Sequence, residues 1–209
     1  ATFMLSGSSV NFNGNVDINQ GTLWPSTASY VYSVKGNYTI AAGGAFNNVE
    51  TGFIKFDGVN QTINNGKFSR VRFSNEGTKT IAGTFDATYN SSTRTTRTII
   101  VEDNATLLAT SPLTIKGNML IDGNATFNDG NQQHTFTGYY WEAPKDKGYV
   151  GSGKIVFNGN HAQYIWGGKF HDIDMTLNTK YISADATMTG NLTLEACNLD
   201  MLTNHISGD

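Results

Sequence analysis

Apolar and polar residues alternate along short stretches of the chain. In the segment Phe53–Phe56, Ile54 and Phe56 alternate with Phe53 and Lys55, and Leu192 and Leu194 flank Thr193 in the same way. Alternation with a period of two residues is typical of half-buried β-strands. Helical spacing is not sustained anywhere, because a Gly or Asn interrupts nearly every window of ten residues. The pattern therefore predicts an all-β protein made of many short strands.

A short unit, Gly-Asn-x-x-(Ile/Leu), recurs along the chain. The first two copies start 22 residues apart and the last two start 73 apart, close to three steps of about 24. A period in the low twenties is typical of a solenoid whose single repeat cannot fold alone. Gly and Asn both tolerate turn conformations, so each pair is expected to form a corner of the coil. The four copies are Gly14–Ile18, Gly36–Ile40, Gly117–Ile121 and Gly190–Leu194.

Two longer segments, residues 52–81 and 153–182, are similar to one another. One extra residue separates the two halves of the second copy. Each copy ends in a Thr-Lys-(Thr/Tyr)-Ile tetrad, Thr78–Ile81 and Thr179–Ile182. The matching triplets are Gln61-Thr62-Ile63 with Gln163-Tyr164-Ile165, and Gly66-Lys67-Phe68 with Gly168-Lys169-Phe170.

These repeats predict a right-handed parallel β-helix (β-solenoid) of about nine coils. At about 4.8 Å per coil the rod is expected to be roughly 45 Å long. Residues 1–209 are interpreted as a single domain, a mature form or a fragment of a longer protein; Tyr139 to Gly153 is the place where a boundary would lie. A β-sandwich is the alternative, because it also contains short strands separated by frequent turns.

The composition argues against two classes of protein, nucleic-acid binders and membrane-inserted proteins. Charged residues make up 15% of the chain and the net charge is −3, which argues against a nucleic-acid binder with a basic surface. The pair Arg94 and Arg97 is interpreted as a solvated strand edge. No run approaches the ~18 apolar residues of a membrane span, so no membrane insertion is expected. One cysteine, Cys197, excludes an internal disulfide and is interpreted as a small buried residue.

The second long segment resembles a repeat of large secreted surface proteins of Bacteroidota. The resemblance covers about two thirds of the chain and implies an adhesin or surface-layer protein, located outside the cell and exported by the type IX secretion system. It is carried by Phe157-Asn158-Gly159, Gln163-Tyr164-Ile165, Gly168–Leu177 and Gly190–Leu194, and more weakly by residues 52–83 and Gly44–Val49.

Catalytic motifs were sought and none is convincing. Glycoside hydrolysis needs two carboxylates about 5–10 Å apart. Asp172 and Asp174 flank Ile173, so both are expected to face solvent, and a solvated strand face explains them without chemistry. A nucleophile elbow, a phosphate loop and a Cys-x-x-Cys pair are all missing from the sequence. The chain is therefore predicted not to be an enzyme. A carbohydrate-active β-helix is the alternative, favoured by a cleft joining Asp172, Asp174, Lys169 and the segment 139–149.

No cofactor or metal site is predicted. The four histidines, His134, His161, His171 and His205, lack the spacing of metal ligands. The segment Asp122–Thr126 begins like a calcium loop but lacks the sixth-position Gly and the closing Glu.

One aromatic segment, Tyr139–Tyr149, interrupts the repeats and is the predicted functional loop. Loops on a rigid scaffold often bear function, and exposed Trp and Tyr rings can bind sugars. The alternative is an oversized corner whose aromatic side chains pack back onto the coil. Trp166 and Tyr164 lie where the first long segment has Asn and Thr, which supports an aromatic patch there. The candidate ligand-binding residues are Tyr139, Tyr140, Trp141, Tyr149, Tyr164 and Trp166.

The sequence as a whole predicts a non-enzymatic, cell-surface structural or adhesive β-solenoid. Its expected partners are surface polysaccharide, other surface proteins, or a second copy stacked end to end. Ice binding is a third hypothesis, which requires a regular Thr-x-Thr ladder at one position of successive coils. Thr78/Thr80 and Thr93/Thr95 are too isolated in the sequence to define such a ladder.

Overall fold

The computed structural model describes residues 1–5, 8–25, 30–46, 52–89, 91–145 and 148–208. Asn47, Asn48 and Val49 of the weaker surface-protein repeat, and Asp146 and Lys147 of the aromatic segment, lie outside these residues. The described residues contain no helix. Their strands are β1 (Thr2–Leu5), β2 (Val10–Phe12), β3 (Val16–Pro25), β4 (Val31–Val34), β5 (Tyr38–Phe46), β6 (Phe53–Phe56), β7 (Gln61–Phe68), β8 (Val71–Phe73), β9 (Gly77–Ala87), β10 (Ile99–Val101), β11 (Ala105–Ala109), β12 (Thr114–Ile115), β13 (Met119–Ile121), β14 (Thr126–Asn128), β15 (Gln133–Phe136), β16 (Tyr140–Glu142), β17 (Tyr149–Val150), β18 (Lys154–Phe157), β19 (Gln163–Trp166), β20 (Lys169–Phe170), β21 (Asp172–Thr176), β22 (Thr179–Ala184), β23 (Ala186–Met188), β24 (Leu192–Glu195), β25 (Asn198–Asp200) and β26 (Ile206–Gly208).

The strands form a coil with three faces. Face 1 is a ten-stranded sheet in the order β2-β4-β6-β8-β10-β13-β16-β19-β22-β25. Faces 2 and 3 are joined in the first half of the chain, because β3, β5, β7 and β9 are long enough to bend across both: β9 pairs with β11 through its first half and with β12 through its second. Face 2 continues through β11, β14 and β17, and then β20, β23 and β26. Face 3 contains β1, β12, β15, β18, β21 and β24.

Every strand pair between successive coils is parallel, and the described residues wind through about nine turns. This confirms the predicted β-solenoid and rules out the sandwich, in which antiparallel sheets would face one another. The coils differ in length. Ile54 pairs with Val71 only 17 positions later, whereas Val71 pairs with Ile99 28 positions later. Strands β13, β16 and β19 pair in succession, so face 1 continues on both sides of the place where a boundary would lie.

The core is a column of inward-pointing side chains along the axis. Alternation places Ile54 and Phe56 inside while Phe53 and Lys55 point outward. Equivalent residues stack from coil to coil, as Phe56 does on Phe73 with ring centroids 5.7 Å apart and planes 17° apart. Such contacts between identical positions of successive coils bury each strand's apolar side without any second domain.

The Gly-Asn pairs form corners and also tie each corner to the next coil. The Asn15 Oδ1 accepts a hydrogen bond from the Asn37 amide at 2.9 Å, and the Asn37 Oδ1 accepts one from Thr62 at 2.8 Å. A Cβ on Gly36 would lie 2.4 Å from the carbonyl carbon of Gly14, so the corners can stack only without side chains there. The Gly-Asn unit therefore forms a turn and also hydrogen-bonds one coil to the next through its asparagine side chain.

The two long segments use the same buried glutamine at a corner. Gln61 accepts from the Gly58 amide at 2.8 Å and donates to the Val34 carbonyl at 2.9 Å. Gln163 accepts from the Gly159 amide at 2.9 Å and donates to carbonyls of the preceding coil, which satisfies its buried amide in the same way.

The two segments nevertheless face different directions. Residues 53–56 lie on face 1, and the matching residues 154–157 lie on face 3. Gln61 begins a strand on face 2, and Gln163 begins a strand on face 1. The second copy is thus displaced by one face of the coil. Equivalent outward positions of the two copies therefore point about one third of a turn apart.

Candidate functional site

The structure separates the six predicted ligand-binding aromatics into two groups. Tyr139, Tyr140, Tyr164 and Trp166 are half-buried on the outer side of face 1, where one side of each is open to solvent. Trp141 and Tyr149 are core residues, 0% and 3% exposed. Part of the predicted loop is regular strand, since β16 lies within it and β17 begins at its last residue.

Alternation explains why Trp141 and Tyr149 are buried. In β16, Tyr140 and Glu142 point outward, so Trp141 between them must point inward. Its ring contacts Phe136 with centroids 5.7 Å apart. The Tyr149 hydroxyl donates to the buried Asp129 carboxylate, and burial raises the pKa of Tyr149 far above its usual value. Neither ring offers a face to a ligand, which corrects the sequence prediction for these two residues.

A ladder of three tyrosines stands on face 1. Tyr140, Tyr164 and Tyr181 occupy paired positions of β16, β19 and β22. Tyr140 and Tyr164 stack with centroids 5.1 Å and planes 16° apart, and Tyr164 and Tyr181 stack at 4.9 Å and 11°. Burial, followed by the two neighbouring phenols, raises the pKa of Tyr164. We name this row the tyrosine ladder.

Tyr181 is the functional candidate that sequence reasoning missed. It stands in the second tetrad, Thr179–Ile182, where the first tetrad has Thr80. The same substitution of an aromatic for Thr distinguishes Tyr164 from Thr62. The replacement of Thr by Tyr at both positions was the signal in the sequence that could have identified Tyr181. The sequence alone did not show that Tyr164 and Tyr181 are neighbours in space.

A charged cluster borders the ladder on one side. The Arg94 guanidinium lies 3.5 Å from the centroid of the Trp166 ring and binds the Glu142 carboxylate at 2.8 Å. Arg97 binds the other carboxylate oxygen, and burial is the main cause that lowers the pKa of Arg97. A groove beside this cluster is lined further by Leu120, Asp122 and Ala184.

The two arginines lie on a loop that folds over face 1, which we name the strap (residues 91–98). The buried Asn118 amide donates to three strap carbonyls, those of Ser91 at 2.7 Å, Thr93 at 3.2 Å and Thr96 at 3.0 Å. The interpretation of these arginines as a solvated strand edge is therefore wrong. They are ion-paired residues of an anchored loop.

Tyr139 and His161 border the ladder on the opposite side. Their rings stack with centroids 3.6 Å and planes 20° apart, at the corner where the chain enters face 1. Burial lowers the pKa of His161, so its imidazole is neutral at pH 7. A neutral stacked pair presents an apolar surface with a polar rim.

The acidic candidates do not belong to this surface. Asp172 and Asp174 point outward from β21 on face 3, on either side of buried Ile173, as predicted. Asp174 has the basic partner that the sequence did not reveal, because Lys154 in the adjacent strand binds it at 2.8 Å. Asp172 accepts from the Asn191 amide at 2.7 Å.

The cleft that would favour a carbohydrate-active enzyme is not assembled. Asp172 and Asp174 lie on face 3, Lys169 lies in β20 on face 2, and Tyr140 lies on face 1. The two carboxylates therefore point outward from a different face than the aromatic residues.

The described residues contain no group of three or more His, Cys, Asp or Glu that could hold an ion. His134 is fully buried; its Nδ1 accepts from the Leu113 amide at 3.1 Å, and its Nε2 donates to the Asp129 carbonyl at 2.9 Å. Burial lowers the pKa of His134, so the neutral ring is a structural core residue.

No family model, curated protein or solved structure matches this chain. The described residues include no helix long and apolar enough to cross a membrane.

Proposed function

We propose that this chain is a non-enzymatic structural and adhesive protein of the cell surface, a stiff rod that holds surface polysaccharide on face 1. The observation that carries the proposal is the tyrosine ladder, Tyr140, Tyr164 and Tyr181, displayed in register on a rigid sheet. The resemblance to secreted surface repeats of Bacteroidota supports the extracellular location and export by type IX secretion.

The geometry of the ladder suits a polymer lying along the rod. Tyr164 has a tyrosine stacked on both of its faces, so the ladder presents ring edges and hydroxyl groups to solvent. Its steps of 5.1 and 4.9 Å are close to the length of one sugar unit in an extended β-linked chain. A glycan chain parallel to the axis would therefore meet one phenol on each coil. Each phenol both donates and accepts hydrogen bonds.

Rigidity and repetition give such a surface its affinity. The tyrosines are held by strands that are paired on both sides, so little conformational entropy is lost on binding. Each contact is weak, but several contacts to one chain act together through effective concentration. Trp166 and Tyr139, on the two sides of the ladder, add apolar surface for the sugar rings.

The absence of catalysis is part of the proposal. Asp172 and Asp174 have the spacing nearest to that of a glycosidase pair. Asp172 accepts a hydrogen bond from the Asn191 amide, and Asp174 forms an ion pair with Lys154. They also lie on face 3, away from the proposed binding surface.

The experiment is incubation of the folded domain with a panel of insoluble and soluble polysaccharides. Bound protein and released reducing or unsaturated ends are measured in the same samples. We expect binding without product, and Tyr164→Ala should abolish most binding because it removes the central step of the ladder. Trp24→Ala, which removes an exposed aromatic ring in β3, is the matched control and should leave binding unchanged.

Two outcomes would contradict the proposal. Product from any polysaccharide would show an enzyme and would direct mutation to Asp172 and Asp174. Equal binding by Tyr164→Ala and the unmodified protein would exclude the ladder as the binding surface.

A further inference from the structure

Threonines form two joined columns on the outer side of face 2. Thr78, Thr106 and Thr126 are paired neighbours in the consecutive strands β9, β11 and β14. Thr62 in β7 pairs with Thr80, which lies two residues after Thr78 in β9. The two columns therefore meet in one Thr-x-Thr segment and together cover four successive coils. This staggered array differs from the regular Thr-x-Thr ladder expected from the sequence, because Leu108 and Asn128 stand two residues after Thr106 and Thr126.

The outward strand positions of this array carry no charge, and exposed Glu76, Asp103 and Asp122 stand outside it, at the corners that precede β9, β11 and β14. The outward residues of the first half of β7, the first half of β9, β11 and β14 are Thr62, Asn64, Thr78, Thr80, Ala82, Thr106, Leu108, Thr126 and Asn128. Ion pairs among the described residues lie elsewhere, such as Arg72–Glu102 on face 1 and Lys154–Asp174 on face 3. The outward positions of these four strands thus form a neutral array of hydroxyl, methyl and amide groups.

The array is also held rigidly. Ile63, Ile81 and Leu107 point inward beneath it and are at most 1% exposed. Each of the strands β7, β9, β11 and β14 pairs in parallel with a strand on both sides. Threonine is branched at Cβ and has few χ1 rotamers, so the hydroxyl and methyl positions are fixed by the backbone.

We propose that this face binds ice. Its outward groups repeat in two directions, at about 4.8 Å between coils and about 6.7 Å along a strand. These distances are close to oxygen repeats in the ice lattice. Threonine hydroxyls can donate to and accept from lattice water, and the methyl groups occupy the spaces between water molecules. Charged groups would hold a tight hydration shell that does not fit a crystal, and face 2 has none at these positions.

The internal duplication explains how one scaffold carries both the threonine array and the tyrosine ladder. Thr62 and Thr80 of the first long segment occupy the positions that Tyr164 and Tyr181 occupy in the second. Because the second copy is displaced by one face, the threonine array and the tyrosine ladder point in different directions. Ice binding is therefore independent of the proposed polysaccharide surface.

The test is thermal hysteresis, the gap between the melting and freezing temperatures of an ice crystal in protein solution, with crystal shape recorded. We expect hysteresis and faceted crystals with the unmodified domain. Thr106→Lys places a charge at the centre of the longer column and should abolish both effects, and Thr126→Lys should do the same one coil further on. Thr135→Lys is the matched control, because Thr135 is an equally half-buried outward residue on face 3.

Tyr164→Ala should retain the hysteresis, which separates this proposal from the preceding one. Circular dichroism would verify that each variant is folded. No hysteresis or crystal shaping by the unmodified domain would overturn the proposal. Retention by both lysine variants on face 2, or equal loss in Thr135→Lys, would also overturn it.

Discussion

Two lysines are fully buried inside the coil, although lysine is among the residues least often found there. Lys79 and Lys180 are the lysines of the two tetrads. The Lys79 ammonium donates to the carbonyls of Asn75 at 2.8 Å and Glu76 at 2.7 Å, and Lys180 donates to the Leu177 carbonyl. Burial lowers the pKa of each lysine to about 8. The amines thus fill carbonyl-lined corners, at an electrostatic cost.

This cost predicts an unusual pH dependence of stability. The unfolded lysines hold their protons up to pH 10.5, whereas folded Lys79 and Lys180 release theirs near pH 8. The free energy of unfolding should therefore rise between pH 8 and 9.5, by about 2 kcal/mol for each lysine. Above pH 10 it should fall, because Tyr38 and Tyr149 are buried with raised pKa values and ionise only when unfolded.

Urea denaturation at several pH values measures this rise. Lys79→Met should remove about half of it, since one of two contributing amines is lost. Lys35→Met, at an exposed position, controls for the loss of a charge. A free energy of unfolding that stays flat from pH 7.5 to 9.5 in the unmodified protein would contradict the prediction.

At the scale of elements, one buried side chain joins the strap to two coils. The Asn118 Nδ2 donates to strap carbonyls, and its Oδ1 accepts from the Tyr139 amide at 3.1 Å and the Tyr140 amide at 3.0 Å. The same residue therefore positions the strap and the start of β16, from which the tyrosine ladder begins. A single amide can do this because its oxygen has two acceptor sites and its NH2 group has two N–H donors, one of which is shared between two strap carbonyls.

Asn118→Ala should release the strap. Removing the amide leaves buried backbone groups without partners, at a cost of about 1–3 kcal/mol for each group left unsatisfied. Trypsin cleaves after Arg94 and Arg97 only when the strap leaves face 1, so the rate of cleavage there should rise. Mass spectrometry of the fragments measures it. Asn131→Ala is the control. It removes an exposed hydrogen bond from the Ser152 amide to the Asn131 Oδ1 and should leave cleavage of the strap unchanged.

At the scale of the whole molecule, the last described coil is paired on one side only. Strands β24, β25 and β26 each pair with a strand on one side only. Leu194 pairs with Met175 of the inward column and is 49% exposed. Exposed strand edges bind other strands. In a solution of the isolated domain, residues 1–209, we expect this edge to stack on β1 of a second copy, repeating the parallel contact found between successive coils.

Such head-to-tail contacts do not close on themselves, so they give filaments rather than dimers. Sedimentation velocity at increasing concentration should show larger species. Leu194→Lys places a charge at this edge and should abolish them, whereas Leu177→Lys, at an exposed corner between β21 and β22, should not. A purely monomeric protein at all concentrations would contradict end-to-end stacking.

The sequence by itself determined the class of fold. Alternation in Phe53–Phe56 specifies which side chains point inward, and the Gly-Asn spacing near 22 specifies a coil, since both are local properties of a strand and a corner. It also indicated an aromatic patch at Tyr164 and Trp166 and a second aromatic segment that contains Tyr140. Asp172 and Asp174 were correctly placed outward because they flank Ile173 in one strand.

Only the tertiary structure decided which residues meet on a face. Successive coils differ in length, from 17 residues between Tyr164 and Tyr181 to 28 residues between Thr78 and Thr106. Neighbours on a face are therefore not separated by a constant number of residues in the sequence. The number of residues in a corner decides which strand residues become neighbours on a face. It does not change the alternation within a strand, so the strand sequences do not reveal it. The burial of Trp141 likewise depends on where β16 begins, which the neighbouring coils fix through backbone pairing and the Asn118 amide.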